Sequence, residues 1–388
     1  MMKLTIFGLQ TRLLLLWSIA ACNGQYAEGQ DTSVRLPSAQ RSVATSEFAA
    51  LIEQLSEPGG FFDTDNLISN ERSYLHVMGK LEELGVRGGA YVGVGPAQNF
   101  SYIAQIRPEV AFIIDIRRDN LLEHFLFKAL FELSDNRIEY LSLLTGRSVP
   151  KDLDRWKDRS IEDIVEYVDA AGVDSEFVQE LRDTVAATVM SFGLPLGESD
   201  LQTIARFHDA FIAAGLNLRF QSFNRPPRPD YPTLRQLLLE NDLGGRKANY
   251  LAREDDFQFV KGLQHKDRVV PVVGDLAGQH ALAAIGEYIS DHGQRLSALY
   301  TSNVEFYLMR QGVFDRFAKT VESLPINRRS VIIRSYFNRG YTRLPSSYLP
   351  GYNSSQLLQT MESFVMESRN GGYVTYWDLI SKHPIALP

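Results

Sequence analysis

The chain has 388 residues, 44% of them apolar and 22% charged, ordinary proportions for a globular protein. A formal charge of −7 leaves no basic excess for a nucleic-acid surface. The single cysteine, Cys22, lies in the N-terminal leader, so a disulfide framework, a cysteine zinc site and a cysteine nucleophile in the folded body are all excluded.

Residues 1–12 carry Lys3 and Arg12 and no acid, and an apolar run from Leu13 to Ala21 follows. A basic start, a short apolar run and a small-residue end make a secretory signal, and the run is too short to span a bilayer. Its end, Ile19-Ala20-Ala21-Cys22, resembles the bacterial lipobox, which implies lipidation of Cys22 and export to the bacterial envelope with that anchor as the only membrane contact. A start codon set too far upstream would instead make the protein cytoplasmic. Residues 23–45 have no hydrophobic period and are expected to be a flexible linker, with a single domain over 46–388.

Phe48, Leu51, Ile52 and Leu55 share one helical face, and Pro58-Gly59-Gly60 ends that helix. Asp63, Asp65 and Asn66 open a loop, and a helix is predicted from about Asn70 to Gly85. The run 89–96 reads as a strand entering a Gly turn, 98–106 as a helix, and Ala111–Asp115 as a buried parallel strand. Helical periodicity then dominates to about His265, with helices near 121–144, 160–170, 174–191 and 199–214 and a proline-rich loop at 222–232. Strands are predicted at 268–273, 296–300, 330–334 and 373–377, and helices at 278–292, 313–324 and 355–368. Pro271 suits an edge strand or a strand start. The pattern is α/β: a Rossmann-like, mostly parallel sheet flanked by helices, with a helical insertion at 121–265 between the second and third core strands.

Gly93-Val94-Gly95 follows the first strand, where glycines let a backbone approach a ligand, although many such turns contain glycine for steric reasons alone. Asp115 ends the second strand, 22 residues after Gly93. It is placed to bind ribose hydroxyls, the reading its spacing favours, or else to cap the next helix or pair with Arg117 or Arg118. Asp275 and Asn303 each stand just past a buried strand, as ligand contacts or as ordinary loop and capping residues. Glu71 and Tyr74 lie in the segment before the first strand, whose acids and asparagines read locally as a solvated N-capping loop.

These residues resemble the class I S-adenosylmethionine-dependent methyltransferase core. Gly93-Val94-Gly95 matches its Gly-rich turn, Asp115 its ribose acid, Gly274-Asp275-Leu276 its adenine-side loop, and Ser302-Asn303-Val304-Glu305-Phe306 the segment facing the methyl group. The resemblance implies S-adenosylmethionine as cofactor, held by Gly93, Gly95, Asp115, Asp275, Asn303 and Glu71, a small-molecule ligand, and a lid before the first strand that brings Glu71 or Tyr74 to the ligand. Ala90-Tyr91 stand where that family has an acid in the first strand, and Pro96-Ala97 replace the third glycine. Strings such as YVGVGPAQNF, DIRRDNLLEH and VVPVVGDLAG are also similar to an uncharacterised bacterial family with this core.

The absence of HExxH, of a Gly-x-Ser-x-Gly elbow and of a P-loop argues against a zinc hydrolase, an α/β-hydrolase and a P-loop nucleotidase. A dehydrogenase fits Gly93, Gly95 and Asp115 but lacks the third fingerprint glycine. Two functions stay open: a methyltransferase, or an exported, membrane-anchored lipoprotein whose core is a non-catalytic binding scaffold.

Overall fold

A computed structural model describes residues 44–225, 228–338 and 343–388, so the leader, Cys22 and nearly all of the linker lie outside the described residues. Six strands form one sheet: β1 (Ala90–Gly93), β2 (Val110–Asp115), β3 (Val269–Val273), β4 (Leu296–Ser302), β5 (Ile326–Phe337) and β6 (Ser354–Thr360). Their spatial order is β3-β2-β1-β4-β5-β6, parallel throughout except for β6, which is antiparallel to β5. The chain therefore builds outward from β1 to β3 and returns to the other side of β1 at β4. The fold is α/β and Rossmann-like, and its strand order reverses between β1 and β4.

Apolar runs explain the central strands: Ala90–Gly93 and Val110–Ile114 are buried along their whole length. Pro271 lies within β3, opposite Ile113 of β2, and β3 is an edge strand, so its missing N–H breaks no ladder. The flanking helices are α1 (Ala44–Leu55), α2 (Met78–Glu83), α3 (Gln98–Ile106), α4 (Arg118–Glu132), α5 (Arg137–Leu144), α6 (Ile161–Ala170), α7 (Ser175–Met190), α8 (Glu198–Ala214), α9 (Leu234–Leu238) and α10 (Glu254–His265). After β3 come α11 (Ala281–Asp291), α12 (Val304–Arg310), α13 (Phe314–Ser323), α14 (Met361–Arg369) and α15 (Tyr376–Ser381).

The large segment between β2 and β3 is helical, and α4 within it packs on both of those strands while α10 packs on α3 and α4. One continuous apolar cluster joins Val92 and Phe112 of the sheet to Phe127, Phe131, Phe207 and Phe257 of this segment.

The C-terminal elements differ from the sequence expectation. Residues 354–360 are a strand rather than the start of a helix, and 373–377 contains no strand. Leu357, Leu358, Met361 and Phe364 have helical spacing, and nothing in Ser-Ser-Gln-Leu-Leu-Gln-Thr favours a strand locally. The open edge of β5 supplies what local propensity does not, pairing Val331 through Phe337 with Thr360 back to Ser354. Thr375 instead caps α15, exchanging hydrogen bonds with Asp378 in a capping box.

Candidate active site

The carboxyl ends of the parallel strands open into a cleft of about 410 Å³. In open α/β sheets ligands bind at this edge, where the strand order reverses. Gly95, Asp115, Asp275, Asn303 and Glu71 all line it.

Gly95 has φ +84°, a conformation that favours glycine. The Asn99 amide donates to the carbonyls of Val94, Gly95 and Pro96 at 2.9, 3.2 and 2.8 Å. The His124 ring lies 2.9 Å from the Gly95 carbonyl as well. With those oxygens engaged inside the protein, what the turn offers a ligand is its amide side. Burial pushes the His124 pKa down to about 4, against the opposing pull of the Gly95 carbonyl. The ring is therefore neutral at pH 7 and donates through Nε2. Gly93 is a correction: it does not line the cleft, and a side chain there would drive into the Asn99 amide and the Tyr91 ring. It is small so that β1 and α3 can pack.

Asp115 is held by its neighbour. The Arg117 guanidinium donates to both carboxylate oxygens at 3.1 and 3.0 Å, and the Arg117 backbone N–H adds a third bond at 2.9 Å. Burial opposes the charge on Arg117, but Asp115 more than restores it, so the guanidinium pKa is raised. The same guanidinium donates to the carbonyls of Thr64 and Asp65 at 2.9 and 2.5 Å. Residues 57–71 thereby become a strap along the sheet edge. Glu57 N–H bonds the Val273 carbonyl at the end of β3, and Gly60 N–H bonds Ile116 just past β2. Asn66, with φ +54°, approaches Gly95, and Glu71 reaches the end of β4. Asp63 and Asp65 pair outward with Arg225 and Arg206.

Asp275 receives the Ala277 N–H on Oδ1 at 2.9 Å, closing its own turn. Its backbone N–H donates to Glu57 Oε1 at 2.9 Å, and the His280 N–H donates to Glu57 Oε2 at 3.1 Å. Ser302 ends β4 with φ +52°, a conformation rare for a residue with a side chain and one that turns Asn303 toward the cleft. Asn303 occupies the N-cap position of α12 but its side chain makes no capping bond.

Glu71 is buried and accepts four hydrogen bonds. Tyr300 and Gln356 donate to Oε2 at 2.7 and 3.0 Å, Ser335 donates to the same oxygen, and Ser302 donates to Oε1. Burial, with Glu71 adding to it, raises the Tyr300 hydroxyl well above its ordinary pKa. Gln98, at the start of α3, was not distinguished by sequence pattern. Its Nε2 lies 3.4 Å from the Tyr300 hydroxyl and its Oε1 has no partner. Tyr74, a lid candidate, is fully buried and donates to the Leu237 carbonyl, away from the cleft. Among the described residues no three His, Cys, Asp or Glu side chains assemble as metal ligands.

A family model described as "Domain of unknown function (DUF7790)" matches residues 67–181 and 222–373. The chain belongs to this family. The matched residues cover all six strands and all six candidate cofactor residues, and residues 182–221, which include α8, separate the two matched parts. No curated protein matches the chain.

Proposed function

We propose that the cleft binds an adenosyl ligand and that the protein is an S-adenosylmethionine-dependent methyltransferase. The observation that carries this reading is the meeting of Gly95, Asp115, Asp275 and Asn303 at the one edge where the strand order reverses. The residues fit such a ligand. The Gly95 turn has its carbonyls engaged inside the protein, and the Asp115 carboxylate keeps acceptor capacity beyond its three bonds to Arg117. Asp275 has a second oxygen outside its own turn. Gly95 and Asp115 would hold the ribose side, and Asp275 the base.

S-adenosylmethionine would supply an electrophilic methyl group. The part of the protein is then positioning and exclusion of water: the strap, anchored by Arg117, covers the edge, and Glu71 fixes the hydroxyls at the end of β4. Five carboxyl side chains against three guanidiniums give the cleft an acidic excess that suits a sulfonium cation.

The leader favours a second function, an exported, membrane-anchored lipoprotein with a non-catalytic binding core, because S-adenosylmethionine is a cytoplasmic metabolite. A thermal-shift titration of the full chain with S-adenosylmethionine, S-adenosylhomocysteine and NADH separates the two. A ligand at a hundred times its Kd stabilises the fold by about 2.7 kcal/mol. Stabilisation by both adenosyl compounds, abolished in Asp115→Ala, is the expected result. No shift from a folded sample would leave the non-catalytic scaffold, and a shift with NADH alone would favour a dehydrogenase.

A further inference from the structure

The cleft floor at the end of β4 differs in chemistry from the Asp115 side. Glu71 accepts from two serines, a tyrosine and a glutamine, and no cation pairs with it among the described residues. Oε2 takes three of these bonds and Oε1 only one, from Ser302, which itself lines the cleft. Oε1 therefore keeps acceptor capacity on the cleft side.

Gln98 adds an independent observation. Its side chain lines the cleft, the residue is 8% exposed, and Oε1 has no hydrogen-bond partner. The Tyr300 proton is committed to Glu71, so the group facing the Tyr300 oxygen must be the Gln98 NH₂, and the orphaned atom is an acceptor. A buried acceptor without a donor destabilises the site, and a ligand bearing N–H groups relieves it.

Aromatic rings connect to this floor through Asn303, whose side chain hydrogen-bonds Tyr307 and lies 3.5 Å from Ser302 Oγ. Tyr307 meets Phe62 at 5.2 Å and 88°, and Phe306 at 5.4 Å and 80°, so its ring stands across two others that line the same cleft as Ser302 and Asn303. The guanidiniums that could supply positive charge are engaged: Arg117 by Asp115, Arg225 by Asp63, and Arg228 by the hydroxyl and ring of Tyr231. A buried acceptor without a donor, a carboxyl group held only by neutral donors, and aromatic rings in the same cleft form an environment for an organic ammonium group.

We propose that the Glu71–Gln98–Tyr307 end of the cleft binds the ammonium group of a second ligand, an organic amine taken beside the adenosyl compound. This deepens the function proposed above and rests on it only for the presence of that first ligand.

The test is calorimetric titration of the full chain with benzylammonium and with benzyl alcohol, each with and without saturating S-adenosylhomocysteine. The expected result is preference for benzylammonium by about tenfold or more, the worth of one charge-assisted hydrogen bond. That preference should persist with S-adenosylhomocysteine bound and disappear in Glu71→Gln. Tyr307→Leu, on a partly exposed ring, should weaken benzylammonium more than benzyl alcohol and serves as the deciding variant if Glu71→Gln does not fold. Equal binding of amine and alcohol overturns the proposal. Competition between benzylammonium and S-adenosylhomocysteine also overturns it, by assigning the ammonium position to the adenosyl ligand itself. Failure of S-adenosylhomocysteine to bind while the amine preference holds would remove the methyltransferase and leave the amine site standing.

Discussion

Asp115 and Glu71 line the same cleft and are held in opposite ways. Asp115 has a guanidinium on both oxygens, and that guanidinium also ties down the strap. Glu71 is more deeply buried and has only neutral donors. A third carboxylate, Glu305, is buried outside the cleft lining and paired as Asp115 is: Arg334 donates to both of its oxygens, at 2.7 and 3.1 Å. Asp115 and Glu305 are thus each paired with a guanidinium, whereas Glu71, at the cleft, is held by neutral donors alone.

That contrast is broken or sharpened first by removing Glu71. Glu71→Leu strands two serine hydroxyls, a tyrosine hydroxyl and a glutamine amide in the interior, and a loss of about 4 kcal/mol is expected. Glu71→Gln, which keeps an acceptor, should lose roughly half as much. Urea denaturation measures both, and a loss below about 1 kcal/mol for the leucine variant would mean that Glu71 does not organise the floor.

His124 extends the comparison to the Gly95 turn. Its folded pKa of about 4 lies below the ordinary 6.5, so the stability it confers is fully present above pH 6.5 and is lost as pH falls toward 4. The full loss corresponds to about 3 kcal/mol. His76 and His208 are shifted in the same direction, chiefly by burial, so the quantity to measure is the difference between wild type and His124→Leu across that window. The variant should lose less stability on acidification, and identical pH profiles would show that the ring titrates freely.

Asp115→Asn ranks next. Arg117 loses its countercharge but keeps the carbonyls of Thr64 and Asp65, so the cost should be about 2 kcal/mol rather than that of a stranded charge. A cost equal to that of Glu71→Leu would erase the distinction between the two acids.

Much of the fold was legible because the central strands are continuous apolar runs and the helices of the 121–265 segment carry apolar stripes with recognisable starts, as at Ser160 with Asp163. Gly95, Asp115, Asp275 and Asn303 could be placed on one edge because strand ends are readable and parallel crossovers fix their side of the sheet. What was not legible depends on distant partners. Ser335 and Gln356 reach Glu71 from 264 and 285 residues away, and nothing around Glu71 announces them. The Asp115–Arg117 pair was one of two local alternatives, and sequence alone could not rank it above ribose binding. Gly93 has the same spacing signature as Gly95, and only the packing of Asn99 against β1 separates their roles. The β6 strand was missed because its pairing comes from the edge of β5.

The smallest expected effect concerns the strap, which has an inner anchor and an outer latch. Arg117 is 6% exposed and holds two strap carbonyls, whereas Arg225 and Asp63 are 64% and 34% exposed and pair at the rim. A solvent-screened pair contributes little, so Arg225→Ala should change stability by less than about 0.5 kcal/mol. Hydrogen exchange over residues 61–66 tells the two arginines apart. Arg117→Ala should speed exchange there, because the carbonyls of Thr64 and Asp65 lose their common donor, while Arg225→Ala should leave it nearly unchanged. If both variants speed exchange equally, the rim pair shares the load, and the strap is secured by the whole ring of arginines it passes rather than by the one that also holds Asp115.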